Sequence, residues 1–107
     1  MSFGKSFTLA AVCVLLGARL YAAQHIVGQK DKVFSVSALT VKVGDVVVFK
    51  NDDDITHNVF SVTKGLEFNT KAQAPGTAYE IAMKTEGTVD VTCAFHPKMK
   101  LTITVKK

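Results

Sequence analysis

From Val33 onward the apolar residues of this chain recur at alternate positions and nowhere hold a helical stripe. The stretch VFSVSALTVKVGDVVVFKN carries Val33, Leu39, Val41 and Val43, then Val46 and Val48. Gly44-Asp45 is a turn signal between the two runs, and Asn51 ends the second. A strand sends successive side chains to opposite faces, so this alternation predicts half-buried strands. HNVFSV from His57, AYEIAMK, GTVDVTC and LTITVKK continue it, the last two with β-branched residues at alternate positions, which suit a pleated backbone. Only KGLEFNTKAQAPGT resists. Its Gly65, Pro75 and Gly76 argue for a loop with a short strand around Phe68. Roughly six to eight short strands, with turns about every eight to twelve residues, predict an all-β chain folded as an antiparallel sandwich or barrel. No repeat, linker or low-complexity tract divides it, and the expectation is one domain.

The N-terminus is of another kind. MSFGKSFTLAAVCVLLGARLYAAQH places Lys5 before an apolar run from Phe7 to Ala18, and the small residues Ala22 and Ala23 follow. This is the layout of a secretory signal peptide, and the run is too short for a bilayer-spanning helix. The bland alternative is an uncleaved anchor. The reading adopted is a leader over residues 1–22, cleaved after Ala22 or Ala23 with Ala22 preferred, and a domain over 23–107 exported to the periplasm. Cys13 is discarded with the leader. Lys5 and Arg19 leave too, so the formal charge of +4 falls to +2 and no arginine remains. A basic helix, an arginine fork and an aromatic platform are all missing, which argues against nucleic-acid binding. About 85 residues remain, enough for one small domain.

The exported chain then holds one cysteine, Cys93, which has no partner for an internal disulfide. A lone thiol in an oxidising compartment is either buried and inert or held by something. Its surroundings favour the second: CAFHPKM sets Cys93, His96 and Met99 three residues apart, and His57 lies upstream in DDDITHNVFS. Strand ends gathered at one pole of a sandwich can bring His57 to Cys93. Two imidazoles, a thiolate and a weak thioether are the donor set of a blue-copper electron-transfer centre, because soft sulfur suits Cu(I) while imidazole suits both oxidation states. Three alternatives stand beside it. Zinc would want a fourth ligand stronger than methionine. A Cys–His nucleophilic pair lacks an evident oxyanion site. Four residues with no metal remain the bland case.

From about Val33 to the end the chain resembles the cupredoxins, and most of all amicyanin and its relatives. VKVGDVVVFKND, THNV and GTVDVTCAFHPKM occur in that family's order, and the two-residue gaps between Cys93, His96 and Met99 match the short amicyanin-type loop. The resemblance implies a Greek-key β-sandwich and one type 1 copper ion cycling between Cu(I) and Cu(II). His57, Cys93 and His96 would be equatorial ligands and Met99 the weak axial one. It further implies that Asn58 ties the two ligand loops together, its N–H directed at the Cys93 sulfur. His96 would be an exposed electron port framed by Phe95 and Pro97. Departures are Thr56 where proline is frequent, Lys100 where glycine is common, Val89 and Val91 at aromatic positions, and Asp52–Asp54 crowding the first histidine.

The functional expectation is a monomeric electron shuttle and not an enzyme, since four protein ligands leave no place for substrate. A dehydrogenase donor and a c-type cytochrome acceptor are the partners expected, without nucleic acid or stable membrane insertion. A copper carrier or buffer of the same fold, and a non-redox scaffold module, are the alternatives. Lys98 and Lys100 set against Asp52–Asp54 suggest a patchy docking face, or an ordinary solvated surface. His25 is read as an exposed residue near a frayed terminus. Its alternative role, after cleavage at Ala22, is to wrap a second Cu(II) with the terminal amine and two amides.

Overall fold

The computed structural model describes residues 22–107, so the leader expected over residues 1–22 lies outside the described residues except for Ala22. Among the described residues there is no helix. Nine strands form: β1 (Gln24–Lys30), β2 (Val33–Phe34), β3 (Ala38–Lys42), β4 (Val46–Asn51), β5 (Val59–Ser61), β6 (Phe68–Asn69), β7 (Ala78–Ala82), β8 (Gly87–Cys93) and β9 (Lys100–Lys106). They lie in two sheets, ordered β2-β1-β4-β7 and β3-β9-β8-β5-β6. The short strand expected around Phe68 is β6.

The sheets are mixed rather than purely antiparallel. β1 runs parallel to β4, and β3 runs parallel to β9; the remaining pairs are antiparallel. The cause is the connectivity. The chain passes from one sheet to the other after β2, β3, β4, β6 and β7, so strands distant in sequence become neighbours. Side-chain alternation carries no information about the direction of a neighbour.

Two further expectations shift. β1 precedes the alternating region and has little apolar content. It closes on β4 through a six-residue parallel register from Gln24↔Val46 to Gln29↔Asn51. In β4 the core-facing residues are Val47 and Phe49, both fully buried, whereas Val46 and Val48 are half-buried. VVVF is apolar on both faces, so its phase is set by the partner sheet and not by its own pattern. Likewise Val33 is exposed and Phe34 points inward. The core between the sheets comprises Val27, Phe34, Val47, Phe49 and Met83 with Val41, Val59, Leu66, Val89, Val91, Leu101, Ile103 and Val105, and it also takes in Cys93 and Met99. Phe49 stacks on Phe68 at a centroid distance of 5.5 Å and meets Phe34 edge-on at 6.3 Å.

Two turns fix the ends of the β1–β4 pair. Asp31 and Lys32 both have positive φ, 54° and 61°, the backbone of a two-residue primed hairpin turn joining β1 to β2. Gly44, at φ 94°, occupies a backbone region that side chains avoid and turns β3 into β4. Beside it, the Asp45 carboxylate accepts the Lys42 N–H at 3.0 Å. His25 is not at a frayed end: it belongs to β1, and its Nε2 lies 2.9 Å from Asp45 Oδ2. The copper wrap around Ala23-Gln24-His25 would require this strand to leave the sheet, because its residues are in register with β4.

Candidate metal centre

Cys93 ends β8, where the core closes, and is 1 % exposed. The next residues turn tightly. The His96 N–H donates to Cys93 O at 3.3 Å and the Met99 N–H donates to His96 O at 2.9 Å. Each three-residue step of CAFHPKM is therefore one hydrogen-bonded turn, and the spacing in the sequence becomes a fold of the loop back over the strand end. Met99, 1 % exposed, packs into the core just before β9.

His57 reaches the same place from the other side. It is fully buried and sits two residues before β5, in an isolated antiparallel bridge with Gln73. The His57 N–H donates to Gln73 O at 3.1 Å, and the Gln73 N–H donates to His57 O at 2.6 Å. That bridge is cemented by buried polar side chains. Asn51 Nδ2 donates to Gln73 O and to Ile55 O, each at 2.9 Å, and Gln73 Nε2 donates to Phe49 O at 2.8 Å. Buried polar groups so satisfied hold one backbone arrangement.

The donor atoms converge. Cys93 Sγ lies 3.6 Å from His57 Nδ1 and 3.8 Å from His96 Nδ1, and the three ligand atoms all fall within 4.8 Å of one another. A d-block ion bonded at about 2.3 Å to sulfur and about 2.0 Å to nitrogen, with about 120° between the bonds, needs those atoms roughly 3.7 Å apart. The cluster has the spacing of a trigonal N, S, N site. The two imidazoles cross at 62° with centroids 5.0 Å apart, so the rings meet edge to face and do not stack. The donor set and its spacing fit copper.

The sulfur is also addressed from the backbone. The Asn58 N–H points at Cys93 Sγ at 3.3 Å, and Asn58 O accepts the Ala94 N–H at 2.8 Å. The tie between the loops is thus made by the main chain of Asn58. Its side chain turns instead to Asn69, with Nδ2 donating to Oδ1 at 2.7 Å.

Sequence reasoning missed the carboxylate behind His57. Asp53 Oδ2 lies 3.0 Å from His57 Nε2 and accepts the Lys32 N–H from the β1–β2 turn at 3.1 Å. In the tautomer that donates to this carboxylate through Nε2, the Nδ1 lone pair faces Cys93, the arrangement in which a carboxylate orients a metal-binding imidazole. The hydrogen bond from His57, followed by that from Lys32, holds the Asp53 carboxyl well below the usual carboxylate range. The signal was present as an i, i+4 Asp–His spacing inside DDDITH. Neither a docking face nor a solvated surface, the two readings of Asp52–Asp54, describes this residue: Asp53 is spent on His57, and Asp52 lies 3.6 Å from Lys50 Nζ. Gln73 had no such signal, since it comes from the loop without periodicity.

His96 is partly exposed, and beside it Lys32, Val33, Phe95, Pro97 and Lys98 line a shallow groove of about 490 Å³. Phe95 is 55 % exposed and Val33 58 %. The apolar rim around the outer histidine therefore includes the β1–β2 hairpin as well as the CAFHPKM loop.

Known proteins resemble this chain in sequence and in fold. A family profile described as "Copper binding proteins, plastocyanin/azurin family" matches residues 22–106. The chloroplastic plastocyanin of Fritillaria agrestis is 27% identical over 108 residues, covering 89% of this chain and 65% of the relative. The methylamine utilization protein MauL of Methylorubrum extorquens is 34% identical over 64 residues, 59% of this chain and 56% of the relative. The matches thus span less than two thirds of these curated relatives. Among solved structures, an amicyanin variant in its Cu(I) form superposes with a TM-score of 0.71 at 26% identity, over 78% of this chain and 82% of that one.

Proposed function

The chain belongs to the plastocyanin/azurin family of copper-binding proteins, and on that premise we propose that it is an exported type 1 blue-copper protein that shuttles single electrons between redox proteins. In this proposal His57, Cys93 and His96 hold one copper ion, and Met99 supplies the weak axial donor. The observation that carries it is the convergence of Nδ1, Sγ and Nδ1 within 4.8 Å at the strand ends. Bound there, copper supplies a one-electron couple whose two oxidation states a mixed imidazole–thiolate–thioether set accommodates.

The chain's own residues do the rest. Asp53 and Gln73 fix the ring and the backbone of His57 respectively. The Asn58 N–H partly neutralises the Cys93 sulfur, and burial shields that sulfur from side reactions. Partly exposed His96, rimmed by Phe95, Pro97 and Val33, is the port through which a docked partner exchanges an electron. Four protein donors leave no position for substrate, which makes the domain a carrier and not an enzyme. The likeness to amicyanin and to a methylamine utilization protein favours a dehydrogenase as donor and a c-type cytochrome as acceptor. The leader over residues 1–22 and a monomeric domain over 23–107, delivered to the periplasm, belong to the same proposal.

The test is spectroscopic. Protein loaded with Cu(II) is expected to show intense visible charge-transfer absorption from a short copper–thiolate bond, and Cys93→Ser to lose it while the apo sandwich stays folded. Unchanged colour in the Ser variant sinks the ligand assignment. A competing chelator tests the carrier alternative: rapid surrender of the ion at neutral pH speaks for delivery and against electron shuttling.

A further inference from the structure

The pole opposite the metal centre holds a second built feature. Asp45 immediately precedes β4 and Asn51, beside the His57 bridge, closes it, so the two are separated by about 20 Å of strand. Asp45 is 8 % exposed and every side-chain oxygen is engaged. Oδ2 accepts the Lys42 N–H at 3.0 Å and lies 2.9 Å from His25 Nε2; Oδ1 accepts the N–H of Ala23 at 3.2 Å. The Lys42 N–H first, then His25, hold this carboxyl below its ordinary range, and the Ala23 N–H adds to them. It is therefore an anion in a largely closed site. Among the described residues His25 is the one side chain within salt-bridge distance of it, and that ring is cationic only when protonated. Lys42, Lys106 and Lys107 line the surrounding hollow with Thr40, Val41 and Ala22 and are exposed at its rim.

A sequestered carboxylate calls for a fixed cation. The nitrogen already in place becomes one if the Ala22–Ala23 peptide bond is hydrolysed. Water adds across the C–N bond, the Ala22 carbonyl carbon takes the hydroxyl, and the Ala23 nitrogen takes a proton and is protonated again to an ammonium. We propose that this cleavage, by a processing peptidase of the exporting cell, produces a mature N-terminus whose α-ammonium docks on Asp45 and locks β1 against the β3–β4 turn. The proposal rests on the export reading above and deepens it, because it chooses the bond.

Cleavage one residue later would remove both contacts of Ala23. These are its nitrogen on Asp45 Oδ1 and its carbonyl, which accepts the Val46 N–H at 2.9 Å as the first rung of the β1–β4 ladder. Cleavage after Ala22 keeps both and adds a charge. An amine that binds its proton more tightly when folded stabilises the fold fully below the ordinary α-amine value of about 7.7–8.0. That contribution fades as pH rises through the higher folded value.

The experiment uses protein from Ala23 to Lys107, which contains the nine strands and the buried core of the described residues, released from a fusion without extra residues. Acetylating the Ala23 amine removes the charge and keeps the N–H donor. Urea unfolding at pH 7 is expected to show a folding constant lowered about fivefold to tenfold by acetylation, the margin of an ionic over a neutral N–H donor on the same carboxylate, and by less than twofold in Asp45→Asn. An equal penalty in both backgrounds, or none in either, overturns the docking. Should Asp45→Asn not fold, the rate at which an amine-reactive ester acylates Ala23 decides. Native protein is expected to react about tenfold more slowly than unfolded protein, and equal rates overturn the proposal. Mass analysis of the protein recovered from the periplasm of expressing cells gives the processing site. A start at Ala23 is expected and a start at Gln24 refutes the chosen bond. An intact leader refutes the export reading and the processing step together, whatever the acetylation cycle gives.

Discussion

Met99 has an observed place in the core and a proposed duty at the metal, and substitution can separate the two. It is 1 % exposed and belongs to the core, and in the proposed site it is also the axial donor. Its backbone is held independently of its side chain, by the N–H bond to His96 O at 2.9 Å, so replacements change the side chain and leave the loop. Met99→Leu conserves volume and is expected to cost the apo protein less than about 1.5 kcal/mol. Met99→Ala opens a cavity at a fully buried position and is expected to cost about 2–5 kcal/mol. In a domain whose total stability is about 5–15 kcal/mol, that is a large share, readable as a shifted urea midpoint at unchanged slope. Met99→Gln places a hard oxygen where the soft thioether was. A tenfold preference of that oxygen for Cu(II) over Cu(I) corresponds to a potential lower by about 59 mV for one electron, measured by equilibrium redox titration of the loaded protein. Core packing and metal tuning thus predict different orders. Apo stability falls most in the Ala variant, while potential falls in the Gln variant. If the potential stays within a few millivolts across Leu, Ala and Gln while apo stability follows volume, Met99 is a core residue and nothing more.

Asp53→Asn should flatten the acid limb of the apo protein. The folded carboxyl is depressed by His57 and Lys32, so its contribution is present above the unfolded value of 3.8 and is lost as pH falls below it; identical acid-unfolding profiles for the two proteins would exclude a role for the Asp53–His57 bond. Gly44→Ala, at φ 94°, is expected to destabilise by about 1 kcal/mol or more through backbone strain, although the added methyl meets nothing; a neutral effect by urea unfolding would mean the turn relaxes. Charge reversal at Lys98, beside the groove at His96, is expected to slow reduction by an acidic donor and to change its ionic-strength dependence; an unaltered salt slope would place docking elsewhere.

The fold class could be read from period and punctuation because half-buried strands advertise their faces. What could not be read was arrangement. β1 is legible only in its partner: Ile26 is exposed while Gln29 is buried on Gln73, the reverse of what polarity suggests. The phase of VVVF is decided by the facing sheet, and the parallel pairings of β1 with β4 and β3 with β9 by how the chain crosses between the sheets. The site divides in the same way. His57, Cys93 and His96 stand together as their chemistry suggested. The carboxylate and amide groups that orient them come from loops and from the end of β4, where residue type says little about what a side chain will meet. Asp53 is the instructive miss, since three aspartates in a row look like solvated charge until one of them is needed by a buried imidazole.

The two histidines of the cluster are held with unequal firmness, and the inequality bears on how such a site would move electrons. His57 is fully buried, its ring tied to Asp53 and its backbone bridged twice to Gln73. Asp53 is in turn tied to the Lys32 N–H of the β1–β2 turn, so displacing that ring means opening a hairpin as well as a loop. His96 is fixed chiefly through the CAFHPKM turns, and its ring lies beside the groove between Lys32 and Lys98. A partner pressing on Phe95 and Val33 therefore touches the less constrained ligand and the same hairpin that braces the more constrained one. Docking would shield His96 from water while loading the turn behind Asp53. In the proposed role, a partner seated at His96 would also contact the Lys32–Val33 turn whose Lys32 N–H binds Asp53 behind His57.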